Sequence, residues 1–166
     1  MKLSSRARYA VRLTIEVHRL SVDGEPVRLS EVARVTNISR RYLEQLAMGL
    51  KSHSILRGIC GRNGGYILGR QAGEITIGDV VRSVIGPIEL ADCTEQPNDC
   101  MAADFCESRL IWMLLEQRVN ETLDDYSIED ILDKTSLASI RRLLRNENSP
   151  ETRSRRGTNR PTRTAS

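Results

Sequence analysis

Apolar residues between positions 40 and 51 recur with the period of a helix. Leu43, Leu46, Ala47 and Leu50 lie three, one and three positions apart, which places them on one helical face. Ser39 precedes this run, and serine suits a helix N-terminus because its hydroxyl accepts a hydrogen bond from a free backbone N–H. The pattern predicts an amphipathic helix after Ser39 with a charged and polar opposite face.

A shorter segment upstream, with the sequence LSEVARVTN, has the same character. We predict that Ser30 caps a short helix here and that Val32, Ala33 and Val35 point inward. Asn37 is predicted to make the turn before the next helix, because asparagine tolerates turn conformations. The two helices and their turn therefore predict a helix-turn-helix.

Two strand-like runs, at 55–59 and 66–68, follow these helices and flank a glycine-rich segment, GRNGG. Glycine supplies the positive φ angles that tight hairpins need. Helix, turn, helix and hairpin predict a fold that is mainly α with a small β-wing, a winged helix-turn-helix. In such a module the N-terminal residues of the second helix contact base edges in the major groove.

Two further helices are predicted on either side of this module. Residues 4–20 form one of them, with Ser4 or Ser5 as its cap, and the segment from Ile75 to the Gly86-Pro87 pair forms the other, because proline does not continue a helix. Their inward positions are predicted at Ala10, Leu13, Val17 and Leu20 in the first helix and at Ile77, Val80, Val81 and Val84 in the second.

Residues 107–125 are predicted to form a long helix that is apolar on several sides. One set of apolar residues, spaced four apart, forms a stripe along the helix: Ile111, Leu115, Val119 and Leu123. A second set widens this stripe over the first turns: Leu110, Trp112, Met113 and Leu114. A helix of this kind must bury more than one face. We therefore predict a dimerisation helix; the alternative is that it lies deep in the core of its own chain.

The charge of the chain is segregated. Residues 1–70 hold 13 Lys and Arg against 5 Asp and Glu, residues 71–145 hold 7 against 15, and residues 146–166 hold 5 against 2. A basic helix-turn-helix half indicates a polyanionic partner, and double-stranded DNA is the prediction. A solvated basic face is the alternative.

Composition and pattern divide the chain into four predicted regions. These are a winged helix-turn-helix at 1–70, a cysteine loop and dimerisation helix at 71–133, a helical extension at 134–145 and a basic tail at 146–166. The tail is predicted to be disordered, because it has almost no aliphatic residues to bury. No secretory signal or apolar run long enough to span a membrane is recognisable, so we expect a cytoplasmic protein without membrane contact.

Three of the four cysteines, Cys93, Cys100 and Cys106, lie close together before the long helix. Clustered thiolates are soft ligands that suit iron–sulfur clusters, zinc or copper(I). The spacing lacks the paired C-x-x-C of zinc ribbons. A structural zinc site, a plain thiol switch and unrelated cysteines are the alternatives. An enzyme with a cysteine nucleophile is disfavoured, because only His53 lies near Cys60 in sequence.

The residues resemble the Rrf2 family of winged-helix transcription regulators in four places. These are the opening LSSRARYA, the recognition-helix residues Ile38, Ser39 and 42–46, the wing residues Gly61, Gly64, Gly65 and Tyr66, and the cysteine loop with its following helix. The resemblance covers roughly residues 1–133. It implies a homodimer that binds a palindromic operator and carries one iron–sulfur cluster, [2Fe-2S] or [4Fe-4S], in each subunit.

The resemblance also assigns roles to particular residues. Cys93, Cys100 and Cys106 would hold the cluster, and the wing would enter the minor groove. Residues predicted to contact DNA are Arg40, Arg41, Tyr42, Glu44 and Gln45 on the recognition helix, Arg62 in the wing, and Arg6 and Arg12 on the first helix. Near a helix N-terminus, the last two are expected to contact phosphate.

Three positions depart from the family pattern. One branch of the family uses a histidine three residues after the last cysteine as the fourth ligand, and Arg109 stands there; another uses an aspartate where this chain has Arg8. Arginine has no lone pair to donate to a metal. In the wing, Cys60 replaces a frequent arginine, and Arg62 is expected to substitute for it. The prediction is a transcription regulator, with repression as its expected action, that senses iron, redox state or nitric oxide and is not an enzyme.

Overall fold

The computed structural model describes residues 4–91 and 106–147. The elements in this part of the chain are α1 (Ser5–Leu20), α2 (Leu29–Thr36), α3 (Arg40–Ser52), β1 (Leu56–Ile59), β2 (Gly65–Leu68), a 3-10 turn (Ala72–Glu74), α4 (Ile77–Ile85), α5 (Glu107–Asp124), α6 (Ile128–Leu132) and α7 (Lys134–Glu147). The chain divides into two compact units, Met1–Glu129 and Asp130–Ser166. The predicted class, mainly α with a small β-wing, is confirmed.

The core of the first unit forms where α1, α3 and α4 pack against one another. Their apolar faces meet there because each presents hydrophobic residues at helical spacing. Buried residues include Ala10, Leu13 and Val17 of α1, Leu43, Leu46, Ala47 and Leu50 of α3, and Val80 and Val81 of α4. The prediction of these inward faces is confirmed.

The helix-turn-helix forms as the sequence predicts, with two corrections in its first helix. Asn37 ends α2 in the left-handed conformation with φ 56°, and the Ser39 hydroxyl accepts from the Tyr42 N–H at 3.4 Å. Ser30 is not the cap, since α2 begins at Leu29 and Arg28 is the N-cap residue. Val35 does not point inward, since it is 45% exposed, whereas Val32 on the same helix is fully buried.

The wing is an antiparallel pair of strands, with Leu56 opposite Leu68 and Ile59 opposite Gly65. Val27, before α2, exchanges two backbone hydrogen bonds with Tyr66, of 2.9 and 2.8 Å, and so extends the pairing beyond the hairpin. A Cβ atom at Gly65 would lie 2.5 Å from the Val27 carbonyl oxygen. Glycine is therefore required there by the close approach of two backbones.

Helix α4 ends at Gly86 as predicted but begins at Ile77, two residues after the predicted start at Ile75. The Thr76 hydroxyl accepts from the Asp79 N–H at 3.0 Å, and Gly86 stops the helix with φ 83°. Helix α5 contacts α4, but none of its residues is buried. The alternative that α5 lies deep in the core of its own chain is therefore wrong.

The second unit contains α7. The Asp133 carboxylate accepts from the Ser136 N–H at 2.7 Å, and hydrogen bonds from Ser136 lower the pKa of this carboxyl group. Residues 148–166, which hold most of the predicted basic tail, lie outside the described residues, as do Cys93 and Cys100.

Candidate nucleic-acid interface and cysteine site

The outer face of α3 carries residues predicted to contact DNA. Arg41, Glu44, Gln45 and Met48 are all exposed, and their spacings of three, one and three residues place them in one row. This row lies on the side of the helix opposite its buried leucines. The face is therefore free within its own chain to approach a ligand.

One ion pair and one ring contact order the start of this face. Arg40 Nε donates to Glu44 Oε1 at 2.9 Å across one helical turn. Both side chains are exposed, so the pair orients the carboxylate more than it stabilises the fold. Tyr42 is half-buried, and its ring meets the ring of Tyr9 edge-on, with 6.0 Å between centroids. This contact ties α3 to α1.

The basic residues of α1 lie on the surface close to its N-terminus. Arg6, Arg8 and Arg12 are exposed. The Arg8 guanidinium carbon lies 5.9 Å from the centroid of the Tyr9 ring, close enough for a cation–π contact. Because Tyr9 in turn contacts Tyr42, this part of α1 adjoins the recognition helix.

A groove of about 310 Å³ separates the recognition helix from the wing. Its lining includes Arg28, Arg40, Glu44, Arg62 and Tyr66. Arg28 Nη2 donates to the Arg62 carbonyl oxygen at 2.9 Å and so joins the start of α2 to the tip of the wing. Arg28 was not among the residues predicted to contact DNA, although a basic residue directly before the helix-turn-helix is a usable signal.

Arg82 of α4 joins that helix to α5. Its Nη1 atom donates to Asn120 Oδ1 and to Asp124 Oδ2, each at 3.2 Å. The hydrogen bond with Asp124, followed by the negative charges of Asp124 and Asp79, raises the pKa of Arg82 despite the opposing effect of burial. A Cβ atom at Gly78 would clash with the Asp124 carboxylate, so glycine permits this close approach of the two helices.

The Arg82 contacts continue toward the wing. Asp79 lies 3.7 Å from Arg82 Nη2 and accepts from Arg70 Nη2 at 3.0 Å. Arg70 follows β2 by two residues. A chain of charged side chains therefore runs from the end of β2 through α4 to the C-terminal part of α5.

Cys106 is the candidate ligand that the structure describes. It occupies the N-cap position of α5, and its Sγ atom lies 3.1 Å from the Ser108 hydroxyl oxygen. The Ser108 hydrogen bond, with smaller effects from the Arg109 backbone and charge, lowers the pKa of the Cys106 thiol. A lowered pKa favours the thiolate, which is the form that binds soft metals. Cys106 therefore fits the chemistry of an iron–sulfur or zinc ligand.

Cys93 and Cys100, the other two predicted ligands, lie outside the described residues. No group of three His, Cys, Asp or Glu residues in 4–91 and 106–147 is placed to hold a metal ion. Cys60 follows β1 and is exposed, as expected for a residue of the wing. Arg109 lies one helical turn beyond Cys106 at the position that histidine occupies in one branch of the family.

The N-terminal half of α5 exposes a continuous apolar surface. The large hydrophobic residues at 110–115 are each between 43% and 68% exposed. An open groove of about 380 Å³ runs along this surface beside Leu110, Met113 and Leu114. A contiguous exposed apolar surface of this kind usually marks an interaction site.

Within the described residues, no helix has the length and hydropathy that crossing a membrane requires.

The helix-turn-helix, its paired hairpin and the free outer face of α3 define a winged-helix DNA-binding protein. A family model described as Rrf2, an iron-dependent transcriptional regulator, matches residues 3–134. The chain therefore belongs to the Rrf2 family of transcription regulators, and the resemblance noted in the sequence is confirmed.

Relatives with known names support the same class. The HTH-type transcriptional regulator CymR of Bacillus subtilis is 33% identical over 135 residues, which cover 81% of this chain and 92% of CymR. IscR of Sodalis glossinidius is 31% identical over 140 residues, 84% of each chain. The solved structure of CymR, the global cysteine regulator of B. subtilis, covers 79% of this chain and 95% of its own at a TM-score of 0.65 and 33% identity. The chain is thus a regulator and not an enzyme.

Proposed function

We propose that the protein is a homodimer that binds a palindromic DNA operator and represses transcription. The observation that carries this proposal is the row of exposed residues on α3, held outward by a fully packed inner face. The N-terminal residues Arg41, Glu44 and Gln45 would read base edges in the major groove. Arg62 at the wing would approach the adjacent minor groove, and Arg6 and Arg12 would contact phosphates.

The dimer would form through α5. Its exposed apolar residues at 110–115 have no partner that buries them within the described part of the chain. A second copy supplies a surface with the same character, as two-fold symmetry requires. The two recognition helices would then face half-sites about one turn of DNA apart, roughly 34–36 Å, or a multiple of it.

A pair of substitutions tests the DNA-binding proposal. Gln45→Ala should lose specificity, costing about 1–3 kcal/mol on the operator and little on random DNA, because a base contact is lost. Arg12→Ala should weaken operator and random DNA alike and lower the salt slope, because a phosphate contact is lost. Fluorescence anisotropy at several salt concentrations measures both. Equal losses on both DNAs for Gln45→Ala would contradict base reading.

For sensing, we propose that Cys93, Cys100 and Cys106 hold an iron–sulfur cluster, [2Fe-2S] or [4Fe-4S]. The support is the family membership, the IscR relatives and the lowered pKa of Cys106. Such a cluster supplies redox chemistry and reactivity toward nitric oxide and oxygen. In this chain Arg109 and Arg8 stand where family branches place a fourth ligand. We propose an oxygen donor, the partner subunit or a small ligand at that weak fourth position.

A regulator without a cluster is the second candidate. One relative is named a global cysteine regulator, and the thiol of Cys106 favours its thiolate through the bond with Ser108. These observations suit a plain thiol switch, and the same thiolates also suit a structural zinc site. The signal would then be oxidation or a sulfur compound instead of loss of iron.

Colour and metal content separate these candidates. Protein purified without oxygen should be brown and contain iron and sulfide if a cluster is present, whereas zinc or thiol protein is colourless. Cys93→Ala, Cys100→Ala and Cys106→Ala should each abolish the visible absorption. Cys60→Ala is the matched control and should keep it. Absorption lost in Cys60→Ala, or a full cluster retained in one of the other three variants, would contradict the assignment.

The route from cysteine loop to DNA would pass through α5. Cys106 begins this helix, and Arg82 holds its C-terminal part to α4, which packs on the recognition helix. A rearrangement of the loop could therefore tilt α5 and change the separation of the two recognition helices. Asp79 pairs with both Arg82 and Arg70, so these ion pairs link α4 to the residues that follow strand β2 of the wing.

A further inference from the structure

One large apolar side chain stands in the outer row of the recognition helix. Met48 is 68% exposed, as exposed as any large hydrophobic residue that the structure describes. At about 100° per residue, Met48 lies within about 20° of Arg41 around the helix axis. It therefore occupies the middle of the row that also holds Glu44 and Gln45, and faces away from the buried Leu46 and Leu50.

A single exposed hydrophobic residue needs no explanation by itself. Met48 differs from an isolated exposed hydrophobic residue, because the residues beside it are predicted to contact DNA. If Arg41, Glu44 and Gln45 enter the major groove, Met48 enters with them, since all four lie on one face. A protein partner is a poorer match, because interface centres are depleted of charged residues, and here Arg41 and Glu44 adjoin the methionine.

The major groove offers one apolar group at the edge of a base, the C5-methyl of thymine. Methionine suits contact with it, because its side chain is unbranched and its sulfur is polarisable, so it adapts to the shape of a surface. We propose that Met48 is a specificity-determining residue that contacts a thymine methyl group in the operator.

The proposal rests on the docking of α3 in the major groove, and it also predicts a position. Met48 follows Arg41 by seven residues, about 10.5 Å along the helix axis. The groove is inclined to the DNA axis, along which each base pair rises about 3.4 Å, so a helix lying along the groove spans roughly two to three base pairs over this distance. The thymine is therefore expected about two or three base pairs from the base that Arg41 contacts, once in each half-site.

The test removes the thymine methyl group from the DNA side of the contact and the Met48 side chain beyond Cβ from the protein side. The full-length wild-type protein first selects its site from a pool of random double-stranded DNA. Each thymine of that site is then replaced by uracil, which differs only by the missing methyl. At one thymine in each half-site, uracil should weaken wild-type binding by about fourfold, the value for one methyl-sized group returned to water.

The variants complete a double-mutant cycle. Met48→Ala removes the contact in both half-sites, so it should weaken binding to the thymine site by roughly 14-fold and should no longer respond to uracil. Met48→Leu should keep the response, since it keeps the apolar contact. Val22→Ala is the control, because Val22 is 66% exposed but lies outside α3. It should bind like the wild type, and melting curves should show that all variants fold.

Three results would overturn the inference. Met48→Ala could bind as well as the wild type, uracil could weaken both proteins equally, or the selected half-sites could hold no thymine whose methyl matters. In each case DNA selection itself still succeeds, so the proposed function stands. If the wild-type protein selects no DNA sequence, the proposed function fails and this inference fails with it.

Discussion

The recognition helix α3 and the long helix α5 both carry apolar faces, but only one of these faces is covered within the chain. Helix α3 buries Leu43, Leu46, Ala47 and Leu50. Helix α5 buries no residue and exposes its large hydrophobic residues at 110–115. Hydrophobic burial therefore stabilises α3 within one chain, whereas for α5 it becomes available only on association.

The two helices also differ in how they are attached. α3 packs against α1 and α4 through side chains that exclude water. α5 is joined to α4 by polar contacts of Arg82 with Asn120 and Asp124 that remain partly open to solvent. Partly exposed ion pairs contribute little to stability. The position of α5 is therefore easier to change than that of α3.

The largest expected effect is on the association of α5. Leu110→Asp combined with Leu114→Asp should dissociate the proposed dimer, because an uncompensated buried charge costs about 3–5 kcal/mol. Helix content should remain, since both residues are 48–68% exposed in one chain. Sedimentation equilibrium and circular dichroism measure the two quantities. Thr122→Asp, on another side of α5, is the control and should stay dimeric. A dimeric double variant would show that α5 does not form the interface.

A core substitution in α3 should reduce the stability of each subunit. Leu46 is 1% exposed, so Leu46→Ala should lower the free energy of unfolding by about 2–5 kcal/mol. Urea unfolding measures the loss. Met48→Ala on the same helix is the matched control, and an exposed position should change stability by less than about 0.5 kcal/mol. Similar losses in both variants would mean that the inner and outer faces of α3 are not distinct.

The helix caps give a smaller effect of the same kind. Ser39→Ala should destabilise the protein by about 0.5–2 kcal/mol, because the hydroxyl caps α3. Cys106→Ala in metal-free protein should lose less, since Cys106 makes no side-chain cap hydrogen bond to α5 of the kind that Ser39 makes to α3. Thermal unfolding of the metal-free forms compares them. A greater loss in Cys106→Ala would assign this thiol a structural role in the absence of metal.

The smallest expected effect is at the polar junction between α4 and α5. Arg82→Ala should cost about 0.5–1 kcal/mol, because its side chain is partly exposed and its ion pairs are screened by water. Arg118→Ala is the control, because the ion pair of Arg118 with Glu121 lies within α5. The measured difference in melting temperature should shrink in high salt. An undiminished difference would show that packing, not charge, joins the helices.

Local sequence patterns located the elements closely. The predicted helix at 107–125 is observed at Glu107–Asp124, and the predicted strands differ from the observed ones by one residue at their starts. The errors fell at the edges of short elements. α2 spans Leu29–Thr36, too short for its period to separate a cap at Ser30 from one at Arg28, and Val35 lies at its exposed edge.

The candidate site was predictable only in part. The outer residues of α3 follow from periodicity once the inner face is known. Arg28 and Arg82 were missed, because their partners lie 34 and 42 residues away in the sequence. Met48 was missed because it belongs neither to the apolar face of α3 nor to its charged positions. Its exposure follows only from the packing of the α3 leucines against α1 and α4.

The sequence by itself determined the winged helix-turn-helix, the inner face of α3, the basic character of residues 1–70 and the family. Helical period, caps and glycine turns are local properties of the chain, so they can be read without a structure. Only the tertiary structure decided that α5 remains uncovered, that Arg82 joins α5 to α4 and that Arg28 holds the wing. Those contacts depend on which surfaces the packed helices leave facing one another, and that is a property of the whole fold.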